Sequence, residues 1–333
     1  QSVDIFTHFS YKRGLTDLRI EDIVQDKPGY MWFATQNGLN RYDGYKMQAY
    51  FADGSPGSLP HSFVNKLYTT QRGELVAGTR KGLAFYNYQT NLFDSVQING
   101  TAAATLSRAS VTAFAEDSSG NLLAGTYNGL FRLDRASGQW QNLSQWFGED
   151  EKLSNIRGIL FINADTAFVV TQDQPFFLLD FKNRKAKIIT FNKPFDKPAY
   201  HYIRCITRLN RHELLLGFFA LGMGRYDIAK GTIMPVKGPL KPDKSTFYNA
   251  VYAITRDSEN KIWVGSHYFG LAAYHETRNE VTVYDSDPTN PLSYNGGSIG
   301  TIFEDRQQNL WIGTLTNGIY LFKPYKKQVI FHP

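Results

Sequence analysis

Apolar and polar positions alternate along this chain in short runs, and clusters of Gly, Asn, Asp and Pro separate one run from the next. "IEDIVQD" (20–26), "VTAFAED" (111–117), "VYAITRD" (251–257) and "IGTIFED" (299–305) share one form, an apolar, β-branched stretch closed by an acidic turn residue. Alternation over so short a span, rich in β-branched and aromatic residues and bounded by turn residues, predicts strands of four to seven residues. No segment holds a helical stripe for more than two turns, so strands are the expected building elements.

The strands come in sets. The stretch "PGYMWFATQNGLNRYDG" (28–44) returns as "GELVAGTRKGLAFYN" (73–87), "GNLLAGTYNGLFRLD" (120–134), "NKIWVGSHYFGLAAYH" (260–275) and "QNLWIGTLTNGIYLFK" (308–323). Two weaker copies, "DTAFVVTQDQPFFLLD" (165–180) and "HELLLGFFALGMGRYD" (212–227), fill the gap. With the Thr of "GT" or its equivalent as marker, the copies fall at Thr35, Thr79, Thr126, Thr171, Phe218, Ser266 and Thr314, spaced 44 to 48 residues apart. Each copy reads as an inner strand, two central strands and an outer strand. Four antiparallel strands at this period are the signature of a propeller blade, whose two apolar faces are covered only by neighbouring blades. The expected fold is therefore all-β: a seven-bladed β-propeller of four-stranded antiparallel blades, a single domain over residues 1–333.

Outer strands number one too many, with candidates at both ends, "DIFTHFS" (4–10) and "QVIFHP" (328–333). A terminal strand that completes the last blade removes an open edge. Residues 4–10 are expected to pair with the third strand of the seventh blade (318–323) and close the ring. That leaves 328–333 as surplus and 324–333 as the candidate start of a following module. The rival arrangement has 328–333 finishing its own blade and the N-terminal strand pairing elsewhere.

The recurring residues "D…G..LWIGT..GL.RYDG" resemble the two-component regulator propeller repeat. The best copies are residues 291–324 and 14–44; blades four and five keep the strand pattern but lose most of the motif. The resemblance implies an extracytoplasmic, periplasmic sensor region of a Gram-negative receptor, placed ahead of a membrane helix and a histidine kinase or diguanylate cyclase. Relatives of that kind include hybrid sensors of polysaccharide use that carry two propellers and bind oligosaccharides. A second propeller or a second copy of the chain is accordingly an expected partner. Contact with a membrane is expected only through other parts of the parent protein.

Charge changes this picture little. The net charge of +6 comes from scattered basic residues, and the densest groups, "FKNRKAK" (181–187) and "KPYKK" (323–327), sit beside turns. They read as solvated surface and not as a nucleic-acid interface. No stretch approaches the roughly 18 consecutive apolar residues of a membrane helix. One cysteine, Cys205, excludes an internal disulfide and reads as a small core residue.

Candidate chemistry lies on one face, where the loops entering each inner strand meet those joining the two central strands. The ligand-contacting candidates there are Arg19, Gln36, Asn37, Arg80, Lys81, Arg108, Tyr127, Asn128, His201, Tyr202, Tyr248, His267, Tyr268 and Tyr294. Such Tyr, His, Arg and Asn side chains suit stacking on sugar rings and hydrogen bonding to hydroxyls or carboxylates, so a small polar ligand, an oligosaccharide in the first instance, is expected. Arg19, Arg80, Lys81 and Arg108 hint at an acidic one.

Trp32, Trp263 and Trp311 recur at one register and read as packing between blades. Asp26, Asp117, Asp257 and Asp305 read as acceptors for the turn that follows them. Seven His without HExxH or a close pair give no metal site, and no GxSxG or phosphate loop is present, so neither cofactor nor catalysis is expected. The competing readings are a propeller enzyme acting on polysaccharide, with Glu21 and Asp22 as its nearest acids, and a purely protein-binding scaffold.

Overall fold

Twenty-eight short strands pair into seven four-stranded antiparallel sheets in the computed structural model, which describes residues 6–147, 153–172, 176–193, 195, 202–238, 250–284, 294 and 297–324. Blade 1 is built from Ile20–Gln25, Met31–Thr35, Gly38–Tyr42 and Met47–Tyr50. The inner strands of blades 2 to 7 are Val64–Thr69, Val111–Glu116, Ile156–Phe161, Ile203–Arg208, Val251–Arg256 and Ile299–Glu304. The seven-bladed ring expected from the repeat is the observed fold.

Closure also follows the expectation. Phe6–Phe9 is the outer strand of blade 7, antiparallel to Ile319–Phe322, with Phe6 opposite Phe322 and Phe9 opposite Ile319. Residues 328–333 lie outside the described residues.

Burial falls from the middle of each blade to its rim. The second strands Met31–Thr35, Leu75–Thr79, Leu122–Thr126, Ile262–Ser266 and Leu310–Thr314 are buried at every position, because a neighbouring blade covers each face. The outer strands Leu92–Ser95, Thr232–Pro235 and Glu280–Val283 bury one residue each, namely Phe93, Ile233 and Val281. The core is correspondingly divided into seven apolar clusters, one between each pair of neighbours. Trp32, Leu39 and Ala34 pack on Val64, Leu75 and Tyr86 between blades 1 and 2. Phe9, Trp311 and Ile319 meet Ile20 and Phe33 where blade 7 returns to blade 1.

The "G" of the "GT" marker has a packing reason. A Cβ at Gly265 would stand 2.4 Å from Cγ2 of Ile299, the first inner-strand residue of the next blade. Gly125 stands in the same relation to Ile156. The absent side chain sets how closely blades approach.

One element lies outside the strand reading, a short helix, α1 (Thr101–Leu106), in the link from blade 2 to blade 3. Its Ala-rich run buries Ala103 and Leu106, and it is shorter than the two turns at which a hydrophobic stripe becomes visible. Single 3₁₀ turns at Tyr11–Arg13 and Ser144–Phe147 make up the other helical structure among the described residues.

Candidate functional site

Most of the repeated polar residues are occupied in holding the blades together. In blade 6, Asp257 accepts hydrogen bonds from the backbone N–H of Glu259 (3.1 Å) and Lys261 (2.8 Å) and from Nε1 of Trp263 (2.7 Å). Asp26 and Asp305 hold Trp32 and Trp311 in the same way, each at 2.7 Å. In blade 3, where Leu123 replaces the Trp, Asp117 instead holds the turn N–H groups, the Asn121 amide and the Arg132 guanidinium. The marker threonines tie off the loop between the two central strands. Thr35, Thr79, Thr126 and Thr314 each donate to the carbonyl of the glycine that opens the third strand, Gly38, Gly82, Gly129 and Gly318. These turns are therefore stiff, and the loop tips sit at fixed places.

A different register remains. In every blade the inner strand carries a β-bulge directly after its first residue, where the pairing slips by one. The first residue is always β-branched and fully or nearly buried: Ile20, Val64, Val111, Ile156, Ile203, Val251 and Ile299. The next residue has no partner across the strand, and a bulge re-aims its side chain. Those seven residues are Glu21, Asn65, Thr112, Arg157, Arg204, Tyr252 and Gly300.

All but Thr112 line a cavity of about 520 Å³ at one mouth of the central channel. Arg19, Gln36, Phe63, Arg80 and Tyr127 from the surrounding loops complete its wall. The same six bulge residues also face the channel below, of about 550 Å³, so the two spaces meet at this ring. The mouth falls within the range of ordinary ligand pockets, roughly 300–1,000 Å³.

Its chemistry is uneven around the ring. On the blade 1 side, Glu21 is paired: it accepts from Arg19 (2.7 Å) and from Gln36 (2.9 Å). Asn65 donates to the Ser110 hydroxyl and the Val111 carbonyl, and Thr112 donates to the carbonyls of Gly125 and Ile156. Arg80 lies over the Phe63 ring at 3.9 Å. The backbone N–H of Phe63 is in turn held by Nδ1 of His61, whose pKa is lowered by burial and by the neighbouring Lys81 and Arg80 charges.

On the opposite side, Arg157 lies over the Tyr127 ring at 5.2 Å and donates to its hydroxyl and to Gln172. Arg204 lies over Phe219 (4.9 Å) and Tyr252 (5.4 Å). Deeper in the channel Lys66 and Asp22 form an ion pair at 3.0 Å, and Asp22 also accepts from the Leu67 N–H. Both acids considered for catalysis, Glu21 and Asp22, are thus engaged with cations. Cys205 lies on the channel wall, where burial pushes its thiol up to about 12, away from nucleophilic use.

Of the residues proposed from sequence, Arg19, Gln36, Arg80 and Tyr127 come together at this mouth. Asn37, Lys81, Arg108, Asn128, Tyr202, His267 and Tyr268 are exposed and stand outside the mouth lining. His267 accepts or donates at Ser298 (2.9 Å) and packs edge-on against Tyr268. Tyr294 is 4% exposed, packs against Phe6 and Tyr320, and donates its hydroxyl to the Gly297 carbonyl, so it is a packing residue between blades 6 and 7. His201 and Tyr248 lie outside the described residues. Asn65, Arg157, Arg204 and Tyr252 went unnoticed in the sequence. The signal that marks them is their place directly after the β-branched residue that opens each inner strand.

The molecule is thus a seven-bladed propeller with one polar, aromatic-lined channel mouth. Residues 14–37, 247–268 and 293–316, in blades 1, 6 and 7, match the family described as two component regulator propeller, so the sequence resemblance is shown in those three repeats. The chain is similar to a solved extracellular domain described as that of hybrid two component system BT3049 from B. thetaiotaomicron, at 22% identity and a TM-score of 0.79, over 96% of this chain and 42% of that one. It is similar to a second extracellular domain from that organism, of hybrid two component system BT4673, at 20% identity and a TM-score of 0.77, over 97% of this chain and 40% of that one. A streptogramin B lyase shares the fold at 14% identity and a TM-score of 0.66, over 96% of this chain and 97% of that one. This chain therefore spans about two fifths of the length of the two extracellular domains. No curated protein matches it. Among the described residues, no helix is long and apolar enough to cross a membrane.

Proposed function

We propose that this propeller is a ligand-sensing part of a bacterial signalling receptor, working in the periplasm and taking a small polar ligand of oligosaccharide type at the channel mouth. The observation that carries the reading is the bulge ring. The recurring motif residues are occupied by packing and turn anchoring, while this one register holds Glu, Asn, Thr, Arg, Arg, Tyr and Gly in turn. Packing alone does not require such variety. A stiff scaffold with unlike side chains around one opening is a recognition device. Aromatic faces at Phe63, Tyr127 and Tyr252 suit sugar rings, and the neighbouring amides and guanidinia suit their oxygens.

Support from relatives is of two kinds. Three repeats match the two-component regulator propeller, and the similar extracellular domains are those of hybrid two component systems. The streptogramin B lyase makes turnover part of any test, because a propeller of this shape also occurs in an enzyme.

The experiment is incubation with a panel of short oligosaccharides, read by thermal shift and by release of new reducing ends. Stabilisation by one or a few members, without release, and loss of that stabilisation in Tyr252→Ala, are expected. Turnover of any member defeats sensing in favour of an enzyme. Neither shift nor release across the panel favours a scaffold that contacts only protein.

A further inference from the structure

We infer that Arg157 and Arg204, the bulge residues of blades 4 and 5, form an oxyanion subsite of that mouth, taking a carboxylate or sulfate group carried by the ligand. The inference deepens the sensing proposal and rests on it.

Three observations lead there. First, the two guanidinia sit at equivalent places on adjacent blades, the one case in which neighbouring bulge positions carry the same residue. Second, they are uncompensated. Among the described residues Arg204 has no hydrogen bond or ion pair, and its Nε is buried without a partner; the same is true of Nε in Arg157, whose hydrogen bonds go to a neutral phenol and a neutral amide. The acid in the ring, Glu21, is already held by Arg19 and Gln36. Third, the side chain of Arg204 rests against aromatic rings. Contact with the Phe219 and Tyr252 rings engages its charge but leaves the N–H donors of the guanidinium unused.

Burial lowers the pKa of Arg204, and the charge of Arg157 lowers it further. A guanidinium remains charged under ordinary conditions, so the fold holds two mutually repelling, partly desolvated cations beside an open cavity. A planar or tetrahedral oxyanion answers both deficits. It neutralises the pair and accepts from a fork that is already oriented. The Tyr252 hydroxyl, which has no hydrogen bond among the described residues, stands on the same wall as a further donor.

The test uses the intact chain and Arg157→Gln, Arg204→Gln and the double variant, titrated with galacturonate trisaccharide, its neutral counterpart galactotriose, a sulfated galactose and sodium sulfate. Binding is read by calorimetry and thermal shift at constant ionic strength. The expected result is stabilisation by at least one of the carboxylate or sulfate probes, at least tenfold weaker in each single variant and absent in the double one. The carboxylate and sulfate arms decide which oxyanion the pair prefers. Without ligand, Arg204→Gln should melt no lower than the parent, since it removes an uncompensated cation; a lower melting point would make Arg204 a structural residue and overturn the assignment. Galactotriose bound as tightly as the galacturonate trisaccharide, with the variants unaffected, overturns the subsite and leaves sensing intact. Acidic-probe binding with turnover overturns sensing and leaves the subsite intact. No response to any anion overturns the subsite.

Discussion

Asp257 shows what a single side chain does in this fold. It is 4% exposed and accepts from two turn N–H groups and the Trp263 indole, so one carboxylate both closes the turn and fixes the largest core ring. Removing the acceptor strands three donors in a dry place. Asp257→Ala is therefore expected to cost about 3 kcal/mol and Trp263→Phe about half of that, by urea unfolding. A cost below about 0.5 kcal/mol for the first would show that the acid is dispensable to the turn. The capping role of such acids was legible from their place before a Gly/Asn turn. The bond to Trp was not, because it joins residues six apart whose relative direction depends on the strand pleat. Arg157 and Arg204 were hidden for a related reason. In a strand that alternated faithfully, the residue after a buried Ile would simply face away from it, and only the slipped ladder sends it to the channel mouth.

The blade as an element was almost fully legible, since its turns and apolar runs recur at a steady spacing. Blades 4 and 5 show how little of the motif the element requires. Ile162 and Leu209 stand where blades 1, 3, 6 and 7 have Asp, yet the same turn bond forms from the N–H of each to the carbonyl of Thr166 or Glu213, both at 2.9 Å. Backbone geometry makes the turn, and Asp reinforces it. What joins one element to the next is the glycine before the marker residue. At Gly265 the nearest atom of the next blade is Cγ2 of Ile299. Gly265→Ala should cost about 1–3 kcal/mol as an overpacked contact. Adding Ile299→Ala, which removes the Cγ2 methyl that the new Cβ would meet, should cost less in this background than in the parent. Denaturant melts of the two single variants and the double variant test this; strict additivity would mean the contact does not limit the approach of the blades.

At the scale of the molecule, the ring is held by a strand from the opposite end of the chain. Phe6 and Phe9 enter two different clusters, one towards blade 6 and one towards blade 1, while their backbone covers the edge of Ile319–Phe322. Deleting residues 1–10 should lower the melting temperature and produce concentration-dependent association through the bared edge, seen by calorimetry and size-exclusion chromatography. A monomer of unchanged melting temperature would place closure elsewhere. This closure could be read in advance by counting outer strands against blades. The location of the mouth could not, because it is assembled from residues about 45 positions apart that meet only once the ring has closed.

The bulge ring also separates two demands that proteins usually have to satisfy together. Its members have no cross-strand partner, and Glu21, Arg157, Arg204, Tyr252 and Gly300 each stand beside a buried β-branched residue that does the packing on their behalf.

 A substitution at Arg157, Arg204 or Tyr252 changes the lining of the opening, while the neighbouring Ile156, Ile203 or Val251 keeps its place in the interblade cluster. The frame of the ring and the lining of its opening can therefore change independently, one blade at a time.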